Sequence, residues 1–400
     1  MHSRRDFIKG MCSTAVTALT STLYPGLVFA NAPTDKRLIV VILRGGMDGI
    51  SALVPYGDKN YQAIRQNLAL EPGSLLRIDP FFGLHPSLRP LAKMYKDGAM
   101  IAVPATASPY RDRSHFDAQN VLELGSEEPN GLQDGWLNRL VGVMNAQDNL
   151  GMAFAQGLPT ILRGDNAVNS WAPSGLPAAS DDYFSLVSKI YKNDTHFAEN
   201  FDKALDIQVM GMDVLQGNMR KMARKSRSPQ GFLTMAEAAG QWLAKPNGPR
   251  IASLELGGWD THVQQGAEGG RIANNLSLLA RGLAQLQKNL GAEWSKTVVV
   301  TITEFGRTVR PNGANGTDHG TAGTTFLMGG ALKGGRIIHQ WPGLSDSDLY
   351  QGRDLRPTID IRTMIKGVLA EHYGLAHNVL NHTIFPGSEN SGTITNIINS

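Results

Sequence analysis

One stretch, KTVVVTITEFGR (residues 296–307), decides the fold. Its apolar and β-branched run meets no charged residue before Glu304, and such a run predicts a strand that is buried on both faces. The stretches KRLIVVIL (36–43), GAMIAVPA (98–105) and RIASLELGG (250–258) have the same character. Strands of this kind need helices on both sides of their sheet, so these runs predict a largely parallel sheet between two helical layers.

Amphipathic helices are predicted between these strands. Apolar residues recur at spacings of three and four within residues 272–290 and form one stripe along a helix. The segments 85–98 and 359–375 have the same character. Alternating strands and helices predict an α/β three-layer sandwich with a largely parallel central sheet. The more polar segment at about 160–245 is predicted to be a helical insertion.

The N-terminus has the features of an export signal. Residues 3–9 read SRRDFIK, a twin-arginine pattern, and a moderately apolar stretch with small residues follows as far as Ala30. We expect cleavage after Ala30, so that residues 1–30 are a signal peptide, and export to the periplasm or the outside of the cell. Residues 31–400 are then a single domain. No later stretch is long and apolar enough to suggest a membrane span.

Composition limits which residue types could bind a metal in this domain and which classes of partner are expected. Cys12 is the single cysteine and lies in the presumed signal, so any metal must be held by His, Asp, Glu or hydroxyl groups. The formal net charge is +3, of which the presumed signal contributes +2, leaving +1 for the rest. This charge gives no support for a nucleic-acid partner or for binding to an anionic membrane surface.

Polar residues follow the predicted strands, where the carboxyl ends of parallel strands form one edge of a sheet. This group comprises Asp48, Ser114, His115, Asp260, His262, Glu304, Asp318 and His319. Each has a structural alternative: Asp48 and Ser114 could cap helices, and Glu304 could form an internal ion pair with Arg307. Their occurrence after successive strands favours a shared site, with His319 in a metal-binding corner.

Five motifs resemble a known bacterial family. They are LRGGMDGISALVPYGD (43–58), RSHFDAQNVLELG (113–125), GGWDTH (257–262), TEFGRT (303–308) and DHGTAGTTFLMGGALKGG (318–335). They look like the family called domain of unknown function 1501, whose members commonly carry twin-arginine signals. That family is considered similar in fold to the alkaline phosphatase and sulfatase superfamily of metallohydrolases. The resemblance therefore implies an alkaline-phosphatase-like domain with one or two divalent ions.

The resemblance also implies a role for each motif. Asp48 stands where an Asp after the first strand binds metal, and Ser114 stands near the expected nucleophile, with Arg113 and His115 beside it. Asp260 and His262 resemble the ligands of a second ion. In the register that we favour, Glu304 takes the Asp position of a late Asp-His pair, Phe305 replaces its His, and His319 is a later ligand. In the alternative register, Asp318 and His319 are the pair themselves, and the later His is then missing unless His339 takes that place.

We therefore expect an exported metal-dependent hydrolase or transferase that acts on a phosphate or sulfate ester through Ser114. Zinc is the first expectation, with magnesium, manganese or calcium as alternatives. The substrate would be a small-molecule or glycan ester, and Arg44, Arg113 and Arg307 could bind its anion. Phe305 motivates an alternative, a non-catalytic binding or assembly protein on a degenerate scaffold. A serine esterase ranks last, because Ser114 lies in Arg-Ser-His and not in a Gly-x-Ser-x-Gly elbow.

Overall fold

A computed structural model of the chain describes most of the expected domain. The described residues are 34–144, 150–173, 181–194, 197–198, 200–201, 204–205 and 230–399. The expected signal peptide, residues 1–30, lies outside the described residues. So does the central part of the insertion expected at about 160–245.

A nine-stranded mixed sheet forms the centre of the domain. The strands of this large sheet are β1 Arg37–Leu43, β5 Met100–Ala107, β6 Gly151–Phe154, β7 Val168–Ser170, β8 Ile251–Leu256, β9 Thr297–Ile302, β10 Gly323–Met328, β11 Arg336–Ile337 and β12 Ile359–Asp360. A small three-stranded sheet is made by β2 Leu53–Val54, β3 Leu76–Arg77 and β4 Gly83–Leu84. The large sheet has the order β11-β5-β10-β9-β1-β8-β6-β7, and β12 also pairs with β5. Among the described strands of this large sheet, only the pairs that involve β10 are antiparallel, so the expected largely parallel sheet is confirmed.

Helices cover both faces of this sheet. The α-helices of the described residues are α1 Gly49–Ala52, α2 Tyr61–Arg65, α3 Arg89–Lys96, α4 His115–Leu124, α5 Trp136–Val143, α6 Asp181–Tyr191, α7 Gly231–Leu243, α8 Arg271–Leu290, α9 Ile361–Tyr373 and α10 His377–Val379. The helices predicted within 85–98, 272–290 and 359–375 correspond to α3, α8 and α9. Helix α7, although it falls within the expected insertion, packs with α8 in the main core, where Trp242 is fully buried.

The side chains of β1 show why the domain has three layers. Ile39 and Val41 belong to the core that contains α3, α7 and α8, whereas Val40 and Ile42 belong to the core that contains α5 and α9. Successive side chains of a strand point to opposite faces, so every residue of β1 is buried without alternation in polarity. The three-layer sandwich predicted from these apolar runs is thereby confirmed.

The direction of β10 determines where the candidate site residues Asp318 and His319 lie. Because β10 is antiparallel to β9, its first residues lie at the edge where β1, β8 and β9 end. Residues 318–319 precede β10 and therefore reach the same edge as residues that follow the parallel strands. Within the described part of the chain, no helix has both the length and the apolar character needed to cross a membrane.

Candidate metal centre

Loops from four strands converge at the carboxyl edge of the sheet. The loop after β1 comes so close to the loop after β8 that a Cβ on Gly45 would lie 2.6 Å from the backbone nitrogen of Asp260. Gly45 also has a φ of 119°, which favours glycine. Its N–H donates to Glu304 Oε1 at 2.7 Å, which ties the loop after β1 to the loop after β9. The glycine-rich run after β1 thus permits the close packing that assembles the site.

Three histidines of these loops are oriented through their Nδ1 atoms. His115 Nδ1 lies 2.9 Å from Glu304 Oε1, His262 Nδ1 lies 3.1 Å from Asp318 Oδ1, and His319 Nδ1 lies 2.9 Å from the carbonyl oxygen of Arg113. Ionised carboxylates and carbonyls can only accept hydrogen bonds, so each Nδ1 must carry a proton. In a neutral imidazole the Nε2 atom then has a free lone pair.

The Nε2 atoms of these histidines face one another and Asp260. His262 Nε2 lies 3.0 Å from His319 Nε2 and 3.0 Å from Asp260 Oδ1. Asp260 Oδ1 is also 3.3 Å from His319 Nε2 and 3.5 Å from His115 Nε2. His115 Nε2 is buried and has no hydrogen-bond partner that meets normal geometry. When these rings are neutral, the Nε2 lone pairs converge on one point. His262 Nε2 and His319 Nε2 then have no proton between them to form a hydrogen bond, unless one of the two rings takes up a second proton.

This donor set fits a divalent cation. His115, Asp260 and His319 each offer one ligand atom, all within 4.8 Å of one another, and His262 Nε2 adjoins two of them. Zinc with ligands at about 2.0–2.1 Å in a tetrahedron would keep those ligands roughly 3.3 Å apart. Carboxylate or carbonyl partners on the outer nitrogen of metal-binding histidines are the usual arrangement at such sites. The residues present therefore fit a metal ion held by imidazoles and one carboxylate.

Glu304 lies behind His115. It is almost fully buried, and its Oε1 accepts from Gln119 Nε2 at 3.0 Å as well as from His115. Burial alone would raise the pKa of Glu304, but the hydrogen bonds from His115 and Gln119 outweigh it, and the pKa is lowered. The hydrogen bond to Glu304 in turn raises the pKa of His115. Glu304, expected as a direct ligand, is thus placed to orient His115.

Asp260 is held by Arg307. The guanidinium of Arg307, which is buried, donates to Asp260 Oδ1 at 2.7 Å. Burial alone would raise the pKa of Asp260, but the hydrogen bond and the charge of Arg307 outweigh it and lower the pKa. Burial lowers the pKa of His319. The site is therefore suited to an ionised Asp260 beside a neutral His319.

Asp48, the first expected ligand, occupies a different environment. Its carboxylate is buried and accepts from Arg65 Nη2 at 2.6 Å, Gln265 Nε2 at 2.6 Å and Ser51 Oγ at 2.9 Å. It also caps helix α1 through the N–H of Ser51. Although burial alone would raise the pKa of Asp48, the charge of Arg65 outweighs it, and the pKa is lowered. The structure does not bring Asp48 into the cluster of His115, Asp260 and His319.

Ser114 and Arg113 lie at the start of helix α4. Ser114 is the N-cap residue, but its side chain makes no capping hydrogen bond, so its hydroxyl does not perform the usual structural role. Arg113 has a φ of 62°, in the left-handed region, and donates from Nε to buried Asp354 at 2.8 Å. This conformation presents the Arg113 carbonyl to His319. Arg44 is likewise ion-paired, with Glu123 at 2.8 Å.

Sequence reasoning missed several partners of these side chains. Gln119 was not singled out, although it lies one helical turn after His115 and shares Glu304 with it. Asn312 donates to Asp318 Oδ1 at 2.9 Å, and no local pattern marks it. Phe305 packs against the rings of His115 and His319, with centroid distances of 4.8 and 4.9 Å. His339, the ligand of the alternative register, packs against Phe82.

The family model described as "Protein of unknown function (DUF1501)" matches residues 99–384. The chain belongs to the DUF1501 family. The match includes the loops after β5, β8 and β9 and the segment before β10. It therefore includes His115, Asp260, His262 and His319. No curated protein matches the sequence.

Some solved structures are similar to this DUF1501 protein. The phosphonate monoester hydrolase of Agrobacterium radiobacter is 11% identical, with 90% of this chain and 76% of that chain covered and a TM-score of 0.39. Ps i-CgsB in complex with k-i-k-neocarrahexaose is 10% identical, with 90% and 77% covered and a TM-score of 0.41. The C-terminal periplasmic domain of EcEptC from Escherichia coli, in complex with Zn, is 11% identical, with 75% and 74% covered and a TM-score of 0.35.

Proposed function

We propose that this DUF1501 protein is an exported metal-dependent hydrolase or transferase that acts on a phosphate or sulfate ester. The observation that carries the proposal is the convergence of His115, His262 and His319 through Nε2 atoms beside Asp260. We assign His115, Asp260, His262 and His319 as ligands of one ion, with zinc preferred for its affinity for imidazole. Such an ion, when bound, would stabilise negative charge on the oxygens of the transferred group.

Ser114 is the proposed nucleophile. Its hydroxyl makes no capping hydrogen bond and directly precedes His115 in the chain. In the first step, a bond would form from Ser114 Oγ to phosphorus or sulfur while the bond to the leaving oxygen breaks. The Ser114 proton would pass to water, and the leaving oxygen would take a proton from water. Attack by a second water molecule, or by an acceptor alcohol, would then release Ser114.

Two further features support an anionic substrate. The first residues of α4 lie beside Ser114, and the N-terminus of a helix favours negative charge. A cleft of about 170 Å³ adjoins Asp318, the residue that orients His262, and Arg310 and Arg353 line it. Both arginines also face acidic partners, so the cleft is cationic only in part.

Elemental analysis of purified protein tests the metal assignment. We expect one equivalent of metal in wild type, and loss of that metal in His319→Ala and Asp260→Ala. His382→Ala, which removes an exposed histidine that is paired with Glu389 and is not one of the proposed ligands, should keep it. Well-folded wild type that stays metal-free after incubation with zinc, manganese, magnesium or calcium would overturn the assignment.

Turnover of 4-nitrophenyl phosphate, bis(4-nitrophenyl) phosphate and 4-nitrophenyl sulfate tests the chemistry. We expect Ser114→Ala to abolish hydrolysis while it keeps the metal, and Ser74→Ala, at an exposed turn, to behave as wild type. A second candidate function, a non-catalytic binding or assembly protein, is favoured by Phe305, whose ring packs where the family resemblance expects a histidine. Bound metal without turnover of any ester would favour that candidate.

A further inference from the structure

A groove of about 290 Å³ opens next to the candidate metal centre. One wall is a single face of α4, because residues spaced by three, four and seven lie on the same side of a helix. The opposite wall is the segment that follows β6, and Arg44 lies at the base after β1. The lining residues are Arg44, Phe116, Gln119, Asn120, Glu123, Pro159, Thr160 and Arg163.

The groove is connected to the metal centre by short contacts. Phe116 directly follows His115 at the start of α4. Gln119 donates to Glu304 Oε1 at 3.0 Å, the same oxygen to which His115 donates, and accepts from Arg44 Nη1 at 3.1 Å. A molecule in this groove would therefore have one end beside the proposed ligands. The groove is therefore placed to hold the organic part of an ester substrate while its phosphate or sulfate group lies at the metal centre.

Phe116 is the most exposed large apolar side chain in the described part of the chain, at 88%. A phenylalanine gains most of its stabilisation from burial, roughly 25 cal/mol per Å² of apolar surface, so this ring contributes almost nothing to the fold. Single exposed apolar residues are common on protein surfaces and alone indicate nothing. Here the ring lines a groove that begins next to His115, and that position indicates a contact with a bound molecule.

The chemistry of the walls selects the occupant. Arg44 is paired with Glu123 and Glu255, which leaves Arg163 as the one lining arginine without an ion pair in the described part of the chain, so the groove has no cluster of free cations of the kind that would bind a second phosphate. A lipid chain or a plain aryl ring would cover the Asn120 amide nitrogen, the Thr160 hydroxyl and the Arg163 guanidinium without offering them hydrogen-bond partners, at about 1–3 kcal/mol each. A sugar ring has apolar C–H faces and a rim of hydroxyl groups, which match Phe116 and the surrounding amides.

We infer that this groove binds a sugar ring of a sugar phosphate or sugar sulfate ester, with Phe116 as its stacking platform. The inference rests on the proposed function for the identity of the ester. The binding of the ring itself, however, depends only on the groove, so it can be measured with sugars that carry no ester. The two ideas therefore have separate readouts.

Binding is tested first, by saturation-transfer NMR with neutral glucose, galactose and N-acetylglucosamine. We expect at least one sugar to bind wild type and Phe116→Tyr, which keeps the aromatic face, and to bind Phe116→Ala about threefold to tenfold more weakly. Ile190→Ala, at an exposed apolar position on α6 outside the groove, serves as the control and should bind as wild type does. Absence of binding to all three sugars, or equal binding by Phe116→Ala, would overturn the inference.

Kinetics then compare the 6-phosphates and 6-sulfates of these sugars with 4-nitrophenyl phosphate and sulfate. We expect Phe116→Ala to lower kcat/KM for the sugar esters about threefold to tenfold more than for the 4-nitrophenyl esters, and Phe116→Tyr to restore the ratio. Equal losses for both classes would mean a general apolar platform and overturn the sugar assignment. If no ester is turned over, the proposed function fails, and the NMR experiment still decides whether the groove binds sugars.

Discussion

The substitution Glu304→Gln tests whether Glu304 orients His115 or binds the metal directly. In the folded protein, Glu304 Oε1 accepts from Gly45 N at 2.7 Å, His115 Nδ1 at 2.9 Å and Gln119 Nε2 at 3.0 Å. A glutamine with the same shape can keep its carbonyl oxygen at that point. Its amide group would then face Thr303 Oγ1, which donates to the Leu43 carbonyl and can accept a hydrogen bond. No buried donor loses its partner, so the fold should persist.

The expected loss of metal affinity is moderate. Substitution of a residue that orients a metal ligand typically lowers affinity about 10- to 100-fold, which corresponds to about 1.4–2.7 kcal/mol. We expect Glu304→Gln to fall in this range, because the charge that makes His115 more basic is removed while His115 stays in place. The loss of metal affinity in Asp318→Asn should be smaller than this range. The Asp318 side chain is 48% exposed, so water screens the effect of its charge on His262.

A competition titration against a chromogenic zinc chelator at constant pH measures these affinities. Thermal unfolding of the metal-free proteins checks that Glu304→Gln is folded, and His319→Ala gives the value for loss of a ligand. Two results would refute the reasoning. An affinity within twofold of wild type would mean that Glu304 does not act on the metal centre, and a loss as large as that of His319→Ala would make Glu304 a direct ligand.

Three other substitutions test the surroundings of the site. Asp48→Asn leaves the buried charge of Arg65 unpaired, so urea unfolding should show a loss of about 3–5 kcal/mol, while elemental analysis should still find one metal per chain. Arg113→Gly should be more stable than Arg113→Ala by about 1 kcal/mol, because only glycine adopts a φ of 62° without strain; equal stabilities would contradict this. Burial lowers the pKa of His372 from 6.5 to about 4, so its neutral form stabilises the fold above pH 6.5 and that stability, about 3 kcal/mol, is lost as the pH falls towards 4. His372→Gln, which can still donate to the Arg37 carbonyl, should lose less stability than wild type between pH 7 and pH 4.5 in urea unfolding, and identical losses would refute the assignment.

The sheet and its functional edge could be predicted because both depend on local sequence. A strand buried on both faces is a continuous apolar run, and β1 and β9 stand out for that reason. Polar residues that follow parallel runs of this kind lie at one edge of the sheet, and this predicted that Asp260 and His262 would lie at the same edge as Glu304. The run after His319 marked a strand, and the pairing of β10 with β9 explains how a residue before a strand reaches the same edge.

The partner of each polar side chain could not be predicted, because the partners are distant in sequence. Asp48 and Glu304 both follow a buried apolar strand, yet they have different environments. Asp48 meets Arg65, which is brought to it by helix α2, whereas Glu304 meets His115, which is brought to it by helix α4. No spacing in the sequence distinguishes these two outcomes. The exposure of Phe116 is equally invisible, because an apolar residue at the start of a helix is ordinarily expected to be buried.

The distribution of charge at this edge argues for one ion and not two. Asp48 is fully buried in its pair with Arg65, whereas Asp260, although paired with Arg307, is 43% exposed and lies against the histidines. A second ion that used Asp48 would have to displace Arg65 from a fully buried pair, at a cost of about 3–5 kcal/mol. That cost corresponds to a weakening of affinity by roughly 150-fold to 5,000-fold. The Nε2 atoms of His115, His262 and His319 converge beside Asp260, and this is the position at which we expect a single cation.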